Sequence, residues 1–143
     1  MQKLILSALL FFVIFMARGQ EWQTDLDTAQ KIATEKNQHI ILIFQGSDWC
    51  APCIKLEREI WSSDTFINYS KKHFTLLKAD FPRKKKNKLD PINQEKNNKL
   101  MEKYNKRGFF PFVVVLDKKG NVIGETGYNK MNPSEYIQLL ESF

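Results

Sequence analysis

Ile40-Ile41-Leu42-Ile43-Phe44-Gln45-Gly46-Ser47-Asp48-Trp49-Cys50-Ala51-Pro52-Cys53 is the stretch on which the reading of this chain turns. An apolar run leads through a short polar loop to two thiols three positions apart, and a helical pattern follows. A thiol at a helix start meets unpaired backbone N–H groups and the positive end of the helix dipole, and both favour the thiolate. The thiolate is the reactive form, so Cys50 reads as a nucleophile. Cys53 lies one helical turn later and can close a ring with it.

The cysteine count sharpens this. Cys50 and Cys53 are the 2 cysteines of the chain, so the pair is either internal or reacts with a partner. A structural staple is better placed across a long loop. A ring of four residues removes roughly 2 kcal/mol of unfolded-chain entropy, and one of ~100 residues more than twice that. The spacing suits exchange chemistry better than scaffolding.

Upstream, Lys3 precedes an apolar run from Leu4 to Met16 broken only by Ser7, and Ala17-Arg18-Gly19 offers small residues for cleavage. This pattern predicts a signal peptide over 1–19 and a mature chain from Gln20. The run is too short for the ~20 residues that span a bilayer. Export to a periplasmic or other secreted location is therefore expected, with no lipidated cysteine after the cut. Removing residues 1–19 from the 143-residue chain leaves 124, enough for one domain (20–143) with one core. The formal charge of +6 falls to +4 once Lys3 and Arg18 are gone. That mild excess gives no reason to expect nucleic acid as a partner.

Working outward, Trp22 to Lys36 is predicted as a first helix, capped by Thr24 or Asp25, with Leu26, Ala29, Ile32 and Ala33 on its apolar face. His39 to Gln45 reads as a strand covered on both faces. A second helix is expected from Cys50 to about Ile60 with Ile54, Leu56 and Ile60 apolar, then a shorter one over Thr65–Lys72 and a strand over Phe74–Phe81. Pro82 to Pro91 carries the run Arg83-Lys84-Lys85-Lys86-Asn87-Lys88 and reads as a solvated loop, with docking to an acidic partner or an anionic lipid surface as the second reading. A third long helix from Ile92 to Asn105 stops at Gly108. Phe112–Leu116 and Asn121–Thr126 form a hairpin across Asp117-Lys118-Lys119-Gly120. Asn132, Pro133 and Glu135 start the last helix. The order α-β-α-β-α-β-β-α predicts an α/β fold, with a mixed central sheet flanked by helices on both faces.

These residues resemble a known family. Trp49-Cys50-Ala51-Pro52-Cys53 resembles the W-C-G-P-C active site of thioredoxins. Arg107-Gly108-Phe109-Phe110-Pro111 is similar to the segment ending in that family's cis-proline, and Phe112–Thr126 with Gly127 to the hairpin and glycine that follow. Gly46-Ser47-Asp48, Asp80-Phe81-Pro82-Arg83 and Gly124-Glu125-Thr126-Gly127-Tyr128 look most like a secreted thioredoxin-like subfamily. The resemblance spans nearly all of the mature chain. It implies a thioredoxin fold and a thiol–disulfide oxidoreductase, with Cys50 attacking and Cys53 resolving. It also implies a cis bond before Pro111, and a substrate surface formed by Trp49, Pro52, Phe110 and Pro111. No cofactor is implied. The expected partners are disulfide-containing proteins and a membrane thiol–disulfide electron donor, and the expected state is a monomer. Reduction of protein disulfides is the preferred direction. An oxidase or isomerase, or a redox-inactive peptide-binding module, are the alternatives, and the intact cysteine pair argues against the last.

The chain departs from thioredoxin at three points, one of them a Pro82–Pro91 stretch longer than the family's. The family's buried acid six residues before the first cysteine is replaced by Phe44, with Asp48 and Glu57 as nearby acids that read either as substitutes or as solvated surface groups. Ala51 replaces the usual glycine. A zinc site would need His39 and His73 to converge on the cysteines. Both are expected at the far end of the sheet, so no metal is predicted. No phosphate-binding glycine loop or Ser-His-Asp constellation is present in the sequence.

Overall fold

The computed structural model describes residues 20–143. The expected signal peptide, 1–19, lies outside the described residues. The elements run β1 (Trp22–Gln23), α1 (Leu26–Lys36), β2 (His39–Gln45), α2 (Ala51–Leu56) continued by a π-helical turn (Glu57–Trp61), α3 (Asp64–His73) and β3 (Phe74–Asp80). After a 3₁₀ turn (Lys85–Asn87) come α4 (Pro91–Tyr104), β4 (Phe112–Leu116), β5 (Val122–Thr126) and α5 (Pro133–Glu141).

The strands form one sheet in the order β1-β3-β2-β4-β5. β1, β3 and β2 are parallel, and β4 runs antiparallel to both β2 and β5. This is the mixed sheet that the element order predicts. Strand side chains alternate between faces, and β2 shows what that demands of its sequence. Ile41 and Ile43 pack with Leu56, Ile60, Trp61, Phe66 and Tyr136, which come from α2, its π turn, α3 and α5. Ile40, Leu42 and Phe44 pack with Ala29, Ala33, Leu100 and Tyr104 of α1 and α4. Helices cover both faces, so the strand is apolar at every position from Ile40 to Phe44.

Three local expectations are corrected. Trp22 does not begin a helix. It pairs with Leu76 at the sheet edge, and α1 starts at Leu26 because the Asp25 side chain caps it by accepting from Thr28 N. Edge pairing claims the backbone upstream of that cap. In the second helix Cys50 is the cap rather than a helical residue, and Ile54 is exposed. The uneven apolar spacing has a physical source in the π turn. Its wider i→i+5 ring admits an extra residue, so that Leu56, Ile60 and Trp61 all become fully buried. Finally, Pro91 belongs to α4 rather than to the loop. It occupies the first helical position behind Asp90, whose carboxylate accepts from Ile92 N and Asn93 N. The Asn132–Glu135 capping box forms as expected.

Candidate active site

β2 delivers the chain to Gly46, whose carbonyl accepts from Trp49 N (3.3 Å) and Cys50 N (2.9 Å). The turn is tight enough that a β-carbon on Gly46 would stand 2.2 Å from the Trp49 ring. Two carboxylates lock this turn to the end of β3 and the segment that follows it. Asp80 accepts from the backbone N (2.9 Å) and hydroxyl (2.6 Å) of Ser47. Asp48 accepts from Arg83 N (2.9 Å), Lys84 N (3.0 Å) and Asn87 Nδ2 (2.9 Å). These donors, led by the Arg83 N–H, hold the Asp48 carboxyl below the usual range. Asp48 is thus a clamp for the basic loop, neither a free surface acid nor a group aimed at the thiols.

Cys50 sits at the N-cap of α2, and its Sγ accepts from Cys53 N at 3.3 Å. The two cysteines form a disulfide with a Cα–Cα distance of 5.2 Å. Both cysteines are buried, Cys50 4% and Cys53 2% exposed. Pro52 lies in the first helical turn, where its missing N–H costs no helix bond.

Trp49 carries the site toward the second predicted element. Its Nε1 donates to Phe81 O (2.7 Å), and its ring meets Phe110 edge-on at 5.4 Å. Phe110 in turn packs against Phe81 at 5.6 Å. The Phe110–Pro111 bond is cis. The residues expected from two distant segments, Trp49 beside Cys50 and Phe110 beside Pro111, therefore share one wall.

Residues that sequence reasoning had passed over hold that wall. Asn105, expected only as the end of a helix, is 2% exposed. Its side chain accepts from Phe109 N (3.0 Å) and donates to Phe109 O (2.9 Å). It fixes the turn that leads into Phe110 and Pro111. Behind Pro111, the chain at Gly127 approaches so closely that a β-carbon there would lie 3.3 Å from Pro111 O. The Tyr136 hydroxyl donates to Gly127 O (2.7 Å) from within the core, and burial pushes its pKa up. An Asn three residues before a glycine was the one available signal for Asn105; nothing local marks Tyr136.

Phe44, at the position of the family's acid, is fully buried on the α1/α4 face and stacks on Phe112 at 6.3 Å. Glu57 lies one turn beyond Cys53, with Oε2 3.8 Å from Lys78 Nζ and Oε1 accepting from Ser62. His39 begins β2 opposite Phe74, and His73 ends α3 stacked on Tyr69 at 4.0 Å. Both stand at the end of the sheet opposite the cysteines.

The family model for a thioredoxin-like domain matches residues 26–143. The chain belongs to the thioredoxin-like family. It is 30% identical over 128 residues to the disulfide bond reductase DsbH of Chlamydia pneumoniae, covering 88% of this chain and 74% of that one. It is also 28% identical over 115 residues to the thioredoxin-related protein DsbJ of the same organism, across 76% of this chain and 32% of DsbJ. A solved DsbH oxidoreductase structure superposes with a TM-score of 0.79 at 28% identity, covering 88% of this chain and 85% of that one. With the bonded CxxC pair at the head of α2, this thioredoxin-like protein is a thiol–disulfide oxidoreductase.

Proposed function

We propose that the protein is an exported reductase of protein disulfides. The observation that carries the reading is the Cys50 sulfur, placed at the cap of α2 with Cys53 N–H aimed at it, beside a wall that contains Trp49 and the cis Phe110–Pro111 bond. In the reduced protein the Cys50 thiolate attacks one sulfur of a substrate disulfide. The substrate's bond breaks, one substrate thiolate leaves and takes up a proton, and a Cys50–substrate disulfide forms. Cys53, deprotonated, attacks the Cys50 sulfur and expels the second substrate thiolate. Two electrons pass to the substrate, and the Cys50–Cys53 bond remains. A membrane dithiol donor restores the reduced pair, since soluble reductants are scarce outside the cytoplasm.

Trp49, Pro52, Phe110 and Pro111 would contact the substrate as an extended segment lying along the exposed backbone before β4. The reductive direction draws support from the name of the DsbH relative and from Pro52 in the ring. The signal-peptide pattern in the sequence supports export.

Equilibration with glutathione tests the direction. A couple below about −230 mV, toward the thioredoxin value, is expected, whereas one near the −120 mV of strong oxidants would reverse it. Cys53→Ser should accumulate mixed disulfides through Cys50, and Cys50→Ser should form none. Trapping through Cys53 instead would reassign the nucleophile.

A further inference from the structure

The run Arg83–Lys88 is not a loose loop remote from the chemistry. It is pinned by Asp48, two residues before Cys50, through the backbone N–H groups of Arg83 and Lys84 and the side-chain amide of Asn87. The Lys85–Asn87 segment is wound into a 3₁₀ turn. The Arg83 guanidinium lies 3.6 Å over the Trp49 ring, so the basic run begins on the residue that adjoins the reactive pair.

The side chains from Arg83 to Lys88 are all exposed. None of the ion pairs among the described residues involves Arg83, Lys84, Lys85, Lys86 or Lys88. The neighbouring acids have other work. Asp48 accepts from the loop's own donors, Asp80 accepts from Ser47, and Asp90 caps α4. Four lysines without an ion-pair partner, and an exposed Arg83 stacked on Trp49, thus form a basic array on a turn whose geometry is held by the active-site loop. Such an array concentrates negative charge at its own edge and speeds encounter with acidic partners.

We propose that this clamped basic loop is a selectivity element, favouring disulfides whose flanking segments are acidic. The inference rests on the exchange reaction at Cys50 and names its substrate class. A flexible basic tail would attract acids without regard to where their cysteines lie. A turn fixed beside Trp49 brings an acidic flank in while its disulfide reaches the wall of Trp49 and Phe110.

The test uses the reduced protein and three peptides with one disulfide core, flanked by Glu pairs, Gln pairs or Lys pairs. Stopped-flow tryptophan fluorescence reads the exchange rate. At low salt the Glu-flanked peptide should react about tenfold faster than the Gln-flanked one, and the Lys-flanked peptide slowest. The preference should shrink toward unity in 1 M salt, where the Debye length is ~3 Å. It should shrink likewise in the K84Q/K85Q/K86Q/K88Q variant. The salt series on the unaltered protein reads the effect without any mutation. Equal rates for all three peptides, while oxidised dithiothreitol (a neutral disulfide) still exchanges, would overturn the selectivity and leave the chemistry intact. Failure with every disulfide, dithiothreitol included, would remove the exchange reading and this one with it. Lysine-dependent sedimentation with phosphatidylglycerol vesicles, without peptide preference, would overturn it in favour of a membrane surface.

Discussion

Replacing Asn105 with Ala should loosen the turn in front of the cis Phe110–Pro111 bond without touching a cysteine. Asn105 is nearly fully buried and exchanges two hydrogen bonds with the backbone of Phe109, at 3.0 and 2.9 Å. Each such bond contributes about 1 kcal/mol net. Both bonds are only partly buried, so water can recover the Phe109 groups once the turn opens. The loss should therefore total about 2 kcal/mol rather than the larger cost of orphaned buried groups. With a urea slope near 1.5 kcal/mol/M, the unfolding midpoint of the oxidised protein should fall by a little over 1 M at unchanged slope. The same 2 kcal/mol, if expressed locally, speeds hydrogen exchange of the Phe109 amide about 30-fold. Exchange of the β2 amides, which open only with the whole fold, reports the global share separately. Exchange with a disulfide peptide should slow more than exchange with oxidised dithiothreitol, which needs no extended wall. A destabilisation under about 0.5 kcal/mol, with Phe109 exchange unchanged, would mean that the turn is held by its other contacts and that Asn105 does not position the site.

Other perturbations probe the Trp49 side. Gly46→Ala puts a methyl group 2.2 Å from the Trp49 ring and should unseat it from Phe81 O, at a cost of about 1–3 kcal/mol and with a shifted tryptophan emission. An unchanged emission would show that the loop yields instead. Asp48 titrates below its unfolded value near 3.9, so its contribution is present above that pH and is lost as the pH falls through the lower folded value. Asp48→Asn should lower the melting temperature at pH 7 and flatten its dependence on pH on the acid side of the unfolded carboxyl value, as followed by circular dichroism. A melting curve with the same acid slope as the parent would place the clamp elsewhere.

The readable parts of this chain are those where one local rule suffices. The apolar run of β2 announces a strand covered on both sides, and the Asn132-Pro133-Ser134-Glu135 segment can hardly be anything but a helix start. The misread parts are those where two segments compete for the same backbone. Trp22 has a helical context in sequence, but the free edge of β3 takes it into the sheet. Ile54 looks like a core position on a regular helix. The π turn that follows rotates Ile60 and Trp61 inward together, and Ile54 stays in solvent. Asp48 had two readings as an acid and belongs to neither, because its acceptors are filled by a loop 35 residues away in sequence.

The order of amino acids alone carried the chemistry: two thiols one helical turn apart, placed by a short loop after a buried strand, with a proline-led hairpin downstream. Those relations are short-range, and spacing along a helix or strand expresses them directly. Folding supplied the surroundings. Asn105 reaching Phe109, Arg83 lying on Trp49, Asp80 gripping Ser47 and Tyr136 holding Gly127 each join segments through a single side chain. No periodicity records such contacts, since one residue has no period, and only packing of the finished sheet brings the partners within bonding distance.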